Sequence, residues 1–93
     1  MRRVRWSPDA ASDLEAIYNY QRLTAPSRAQ ATIQALYDAA MSLQSAPNQG
    51  RPGSVPGTRE LLTLPMPYLI IYRVEQDAVQ IARIRHGKQN RLH

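Results

Sequence analysis

The sequence predicts an α+β domain: a helical hairpin packed on a small twisted, mainly antiparallel sheet, in the order β-α-α-β-β-β. Three observations carry this. Residues 8–45 hold two apolar stripes at helical spacing, separated only around Pro26. A segment rich in proline and glycine, Pro47 to Gly57, then breaks the pattern, and the spacing after it is that of strands. A tight turn, Glu75-Gln76-Asp77, joins the last two strands into an antiparallel hairpin. The 93 residues suit one domain spanning 1–93, with a thin core, so that a bound partner would add to its lifetime.

Each element has a local reason. Arg2 to Trp6 alternates polar and apolar residues, with Val4 and Trp6 on one face, and reads as a first strand. Ser7-Pro8-Asp9 opens a helix: serine caps free amides, proline suits the first helical position, and aspartate sits at the positive end of the helix dipole. This helix runs from Pro8 to about Leu23, with Leu14, Ile17 and Tyr18 inward and Asp13, Glu15, Asn19 and Arg22 on the wet side. Pro26 ends it and Ser27 caps again. A second helix follows from Arg28 to about Ser45, with Ala29, Ile33, Leu36, Tyr37, Ala40 and Met41 as its stripe. The short connection makes the pair an antiparallel hairpin, which needs a sheet to cover.

After the Pro47–Gly57 loop, which contains Arg51, strands are expected over Thr58–Leu64, Tyr68–Val74 and Ala78–Arg85. Pro65 and Pro67 fall between strands, where a missing donor does little harm. Leu69-Ile70-Ile71 is a continuous apolar run, as in a central strand covered on both sides. Gly87 breaks the last strand, and Lys88 to His93 is a polar tail.

Composition excludes several classes of function. Without cysteine there is neither a disulfide framework nor a thiolate metal site, and the reducing cytoplasm is permitted. The only histidines are His86 and His93, too few for a structural zinc site. The basic start, Met1 to Trp6, has no apolar stretch behind it, so neither a secretion signal nor a membrane span is expected. Phosphate-binding glycine loops and nucleophile elbows are absent from the sequence, and no cofactor is expected. The formal net charge is +5, and eleven of the twelve basic residues are arginines, whose planar forks suit phosphate and carboxylate. An anionic partner is implied, either nucleic acid or an acidic protein segment; the competing view is charge that only keeps a small protein soluble.

Individual residues carry two readings each. Tyr18 and Tyr37 read as core and Tyr20 as exposed. Tyr68 and Tyr72 share a sheet face, where they cover the helices or stack on a base. Arg73 should share a face with Leu69 and Ile71, either paired with Glu60 or Glu75 or directed at a target. Arg83 and Arg85 should alternate onto one face with Val79 and Ile81, as an anion site or as a guard on a solvated edge. His86 either caps the end of the sheet or acts as a proton carrier.

Several phrases resemble the RelE/ParE superfamily of toxins. They are Trp6 with Ala11, Asp13-Leu14, Ile17 and Tyr18–Tyr20; Gly50-Arg51; Gly57-Thr58-Arg59-Glu60-Leu61; Tyr68 to Val74; and Ile81-Ala82-Arg83-Ile84-Arg85-His86-Gly87. Their order and spacing cover nearly the whole chain. The resemblance implies the toxin of a bacterial type II toxin–antitoxin, or plasmid-stabilisation, module, acting in the cytoplasm and held inactive by a cognate antitoxin. That antitoxin is expected to supply an acidic, partly disordered segment that folds along the hairpin groove and basic sheet edge.

The superfamily divides by target. ParE-type toxins poison DNA gyrase; RelE-type toxins cut messenger RNA on the ribosome. The full helical hairpin and the Arg-x-x-His close of the last strand, Arg83 to His86, look more ParE-like. The target-binding candidates are Arg59, Arg73, Arg83, Arg85, Lys88 and Arg91. In the RelE-like alternative, Arg83 and Arg85 would hold phosphate charge while His86 moved the proton, as base or acid. The RelE branch carries a tyrosine and a lysine–arginine cluster in its C-terminal segment, whereas this chain has no tyrosine after Gly87.

Overall fold

Ser7 links the first strand to the first helix and both to the last strand. In the computed structural model, which describes residues 2–64 and 66–87, strand β1 (Arg3–Trp6) ends one residue before it and helix α1 (Pro8–Thr24) begins one residue after. The Ser7 hydroxyl accepts from the Ala10 amide at 3.0 Å and donates to the Ala82 carbonyl at 2.8 Å. Its amide donates to the Ile81 carbonyl at 2.9 Å. The predicted cap is therefore present, and it also anchors the helix to the sheet.

Helix α2 (Pro26–Met41) starts sooner than expected. Pro26 occupies its first turn, and Ala25 stands between the two helices; no side chain caps this start, so Ser27 lies inside the helix. A proline at the first helical position forfeits only a donor that would be unpaired anyway. The expected tail of the second helix tightens into a 3₁₀ turn over Ser42–Gln44, which buries Leu43.

The sheet has five strands, one more than expected. Strand β2 (Arg51–Pro52) forms within the proline-rich segment and pairs antiparallel with β3 (Arg59–Leu62). Then come β4 (Tyr68–Val74) and β5 (Ala78–His86), in the spatial order β1-β5-β4-β3-β2. Only the β1–β5 pair is parallel, the two being far apart in the chain, with both helices and the other three strands between them. Pro52 sits on an edge strand, where its missing N–H costs no ladder bond. Pro65 lies outside the described residues.

Both helices cover one face of the sheet. One cluster joins Ala10, Ala40 and Leu43 to Ile70, Tyr72, Val79 and Ile81; a second joins Leu36 to Tyr68 and Ile84, with Leu14 and Ile17 against it. Small alanines on the helices let the layers approach closely. Tyr37 does not join the core: it is 45% exposed and stacks on Trp6, ring centroids 6.3 Å apart. The fully buried face of α2 runs through Leu36 and Ala40, one residue round from it. Tyr20 is exposed, as expected.

Gly50 anchors the 46–57 segment below the sheet. A β-carbon there would lie 2.6 Å from the Tyr72 hydroxyl and 2.9 Å from the Glu60 carbonyl, so no side chain fits. The buried Tyr72 hydroxyl instead accepts from the Gly50 amide at 3.0 Å and donates to the Pro47 carbonyl at 2.7 Å. Burial disfavours the charged phenolate and pushes the pKa of that hydroxyl above its ordinary value, against the opposing pull of the Gly50 amide and Arg59.

Candidate functional site

Residues paired across a sheet share a face, so the register assigns each side chain. Tyr68, Ile70 and Tyr72 pair with His86, Ile84 and Ile81 and point to the helices. Leu69, Ile71 and Arg73 pair with Arg85, Arg83 and Gln80 and point the other way. Tyr68 and Tyr72 are thus both buried under the hairpin, as the reading that has them covering the helices expects.

The register steps between Ile71 and Tyr72, whose partners are Arg83 and Ile81, leaving Ala82 as an extra residue in β5. This bulge corrects one expectation. Val79 and Ile81 face the helices, but strict alternation is lost at Ala82, so Arg83 and Arg85 emerge on the opposite face. Periodicity alone does not reveal an inserted residue.

Beyond Ile81, β5 has no β1 residue beside it, since β1 ends at Trp6 opposite Ile81. Asp13 of α1 occupies this edge. Its carboxylate accepts from the Ile84 amide at 3.0 Å and from Arg83 through Nε at 2.8 Å and Nη2 at 3.1 Å. Arg83 therefore reaches round the edge to the helix rather than standing free. Burial by itself would raise the Asp13 carboxyl, but the Arg83 and Ile84 hydrogen bonds and the charges of Arg83 and Arg85 outweigh it and hold it below its ordinary value. The same pairing raises Arg83.

This engagement of Asp13 corrects its expected place on the wet side. The signal against that place is in the sequence: it stands three residues after Ala10 and four before Ile17, on the stripe that faces the sheet. A carboxylate on such a stripe requires a partner.

His86 lies on the helix face of the sheet. It meets Tyr68 edge-on at 5.8 Å and lines a groove of about 460 Å³ between α1 and the ends of β4 and β5, together with Asp13, Ile17, Tyr20 and Gln21. Arg83, Arg85 and His86 are neighbours in sequence, but the sheet separates Arg85 from His86, and Arg83 is engaged by Asp13.

The other candidate cations are dispersed. Arg59 donates to the Gly50 carbonyl at 2.7 Å. Arg73 is exposed and donates at 3.4 Å to the Pro56 carbonyl, not to Glu60 or Glu75. Glu60, only 5% exposed, accepts from Arg51 at 3.1 Å, and Glu75 accepts from Arg5 at 2.7 Å. Lys88, Arg91 and His93 lie outside the described residues. Among the described residues, no cluster of three or more His, Cys, Asp or Glu side chains could hold a metal ion, and no helix is long and apolar enough to cross a membrane.

A helical hairpin on one face of a five-stranded mixed sheet is the architecture of RelE/ParE superfamily toxins. The chain belongs to the ParE toxin family of type II toxin–antitoxin systems, parDE, whose family model matches residues 4–91. It is 41% identical over 87 residues to Toxin RelE2 of Caulobacter vibrioides, covering 94% of this chain and 97% of that protein. It is 34% identical over 88 residues to the Putative toxin Y4kP of Sinorhizobium fredii, covering 95% and 91%. Among solved structures it is similar to a chain of the chromosomal ParDE toxin–antitoxin system from P. aeruginosa, with a TM-score of 0.85 and 35% identity over 92% of this chain and 96% of that one. A mutant form of YafQ from E. coli shares the fold at a TM-score of 0.63 and 15% identity, over 96% and 97% of the two chains.

Proposed function

We propose that this toxin arrests growth in the cytoplasm by poisoning DNA gyrase, and that a cognate antitoxin silences it. The observation that carries this reading is the disposition of Arg83, Arg85 and His86. Metal-free RNA cleavage needs phosphate-holding cations and a proton carrier converging on one phosphate. Here Arg85 and His86 lie on opposite faces of the sheet, and the fork of Arg83 is occupied by Asp13. Such a surface suits docking better than chemistry. The ParE family match and the similarity to a ParDE chain support the same side.

The antitoxin's place follows from the groove beside α1. Its walls include Ile17, Tyr20 and Tyr68, and the strand edge next to it carries no further strand beyond Ile81, only the side chains of Ser7 and Asp13. An amphipathic segment with acidic residues would bury its apolar side there and meet the arginines at the edge.

The test is a supercoiling assay with purified gyrase and plasmid, read on one gel for inhibition and for linear DNA trapped by denaturant. Inhibition with linear DNA, reversed by antitoxin, is expected. Unimpaired supercoiling by folded toxin, together with ribosome-dependent cutting of messenger RNA, would replace this reading with the ribonuclease.

A further inference from the structure

Charge in this molecule is segregated by layer. The helical segment, residues 8–44, carries four acidic residues and two basic ones, whereas the five strands carry seven arginines and one acidic residue, Glu60. The helices therefore form a mildly acidic back to a strongly basic sheet. On the face away from the helices, β1, β5 and β4 carry Arg3, Arg5, Arg85 and Arg73, while Arg83 starts on this face and turns round the edge to Asp13. The 53–57 turn reaches over part of this face, through the Ser54 amide to Glu60 and the Pro56 carbonyl to Arg73, and Leu69 on it is buried.

Two of these arginines stand out. Arg5 and Arg83 are paired with carboxylates at 2.7 and 2.8 Å, and Arg3 faces Asp77 at 3.9 Å. Arg73 and Arg85 are exposed and form no salt bridge among the described residues, although the charge of Arg85 is felt by Asp13. Arg85 pairs with Leu69 and Arg73 follows Leu69 by four positions, which separates them by about 13 Å along the strand direction. That spacing addresses two phosphates rather than one.

The same face lacks aromatic residues. The chain has one tryptophan, five tyrosines and no phenylalanine. Tyr18, Tyr20 and Tyr37 lie on the helices, and Trp6, Tyr68 and Tyr72 lie on the helix side of the sheet. Unpaired bases are held mainly by stacking on such rings, whereas a duplex offers its phosphates to arginines without needing them. Arginine with no stacking platform favours a duplex over a single strand.

We propose, resting on the gyrase reading above, that the arginine face of the sheet docks on the phosphate backbone of duplex DNA, so that in the poisoned complex the toxin grips DNA as well as protein. Arg73 and Arg85 touch the phosphates, and the acidic helical layer turns away from the DNA. Recognition is of backbone and independent of sequence.

The experiment measures this binding without gyrase, so that its failure and the failure of the gyrase reading are separate results. A fluorescently labelled duplex of about 20 base pairs is titrated with purified toxin between about 50 and 200 mM salt, and anisotropy gives the affinity. Wild type should bind the duplex more tightly than a single strand of equal length, with affinity falling steeply as salt rises. R73Q/R85Q should weaken binding about tenfold or more at low salt and flatten the log–log salt slope by roughly 2, near 0.9 for each phosphate no longer neutralised. R22Q/R28Q, which removes the same charge from the helical layer, should stay within about twofold of wild type; thermal melts establish that both variants fold. No duplex binding, tighter binding to the single strand, or equal losses in the two double variants would overturn the proposal.

Discussion

Asp13 and Arg83, separated by 70 positions in the chain, form a two-pronged ion pair across the edge between α1 and β5, Nε to Oδ2 at 2.8 Å and Nη2 to Oδ1 at 3.1 Å. One carboxylate oxygen also takes the Ile84 amide, so a single side chain finishes a strand edge, fixes an arginine and docks a helix. This pair decides which cations of the last strand remain available to a partner.

The pair makes stability depend on pH. Because the folded state holds Asp13 below its ordinary carboxyl value, its contribution is complete above the unfolded value, about 3.9, and is lost as pH falls through the lower folded one. Asp13→Asn keeps an acceptor for the Ile84 amide but loses the charge. It should cost about 1 kcal/mol at pH 7, the modest figure reflecting partial solvent screening. The gap from wild type should shrink as pH drops below about 4. Urea titrations at pH 7 and pH 3, followed by fluorescence of Trp6, the single tryptophan, read both. A gap unchanged at pH 3 would contradict the assignment.

The Tyr72 hydroxyl should matter out of proportion to its size. Tyr72→Phe leaves the Gly50 amide and Pro47 carbonyl without that partner, a loss of about 1–3 kcal/mol. Gly50→Ala should be at least as harmful, since its methyl would press on the same hydroxyl and on the Glu60 carbonyl. Urea midpoints of the two variants check this, and a neutral Gly50→Ala would mean that the 46–57 segment is free to shift.

Leucines on the two helices should separate cleanly. Leu36 is fully buried between the hairpin and the sheet, and its truncation to alanine should cost about 2–5 kcal/mol. Leu23 is 82% exposed, and Leu23→Ala should change stability by no more than about 0.5 kcal/mol. Equal losses in thermal melts would mean that α1 is packed differently at its end.

The fold is legible in the sequence because its signals are local and repeat. Ser7-Pro8 marks a helix start, the Leu36–Ala40 stripe marks a buried face, and Glu75-Gln76-Asp77 marks a hairpin, each within a few residues. What escapes a sequence reading is set by distant partners. Arg51–Pro52 becomes a strand because β3 offers it an edge, which Pro52 conceals in the sequence. The inserted Ala82 moves Arg83 and Arg85 to the other face, and only the β4 register reveals that step. Asp13 is hard to place because a carboxylate on an inward stripe makes sense only once its partner, Arg83, is known.

His86 should be dispensable for toxicity. It packs edge-on to Tyr68 under the helices, so His86→Ala should leave growth arrest within about tenfold of wild type when toxin is induced without antitoxin. A proton carrier in RNA cleavage would cost roughly 10²–10⁴-fold instead. Liquid-culture growth at matched expression levels distinguishes the two, and Phe at this position would restore the ring packing if packing alone were at issue.

The most direct test of the central claim sets one preparation of wild-type toxin against both targets, purified gyrase with plasmid DNA and a reconstituted ribosome with messenger RNA. The expected result is inhibited supercoiling with accumulated linear plasmid, intact message, and recovery on adding antitoxin. Cut message with supercoiling untouched would contradict the account and return Arg83, Arg85 and His86 to the role of catalytic candidates.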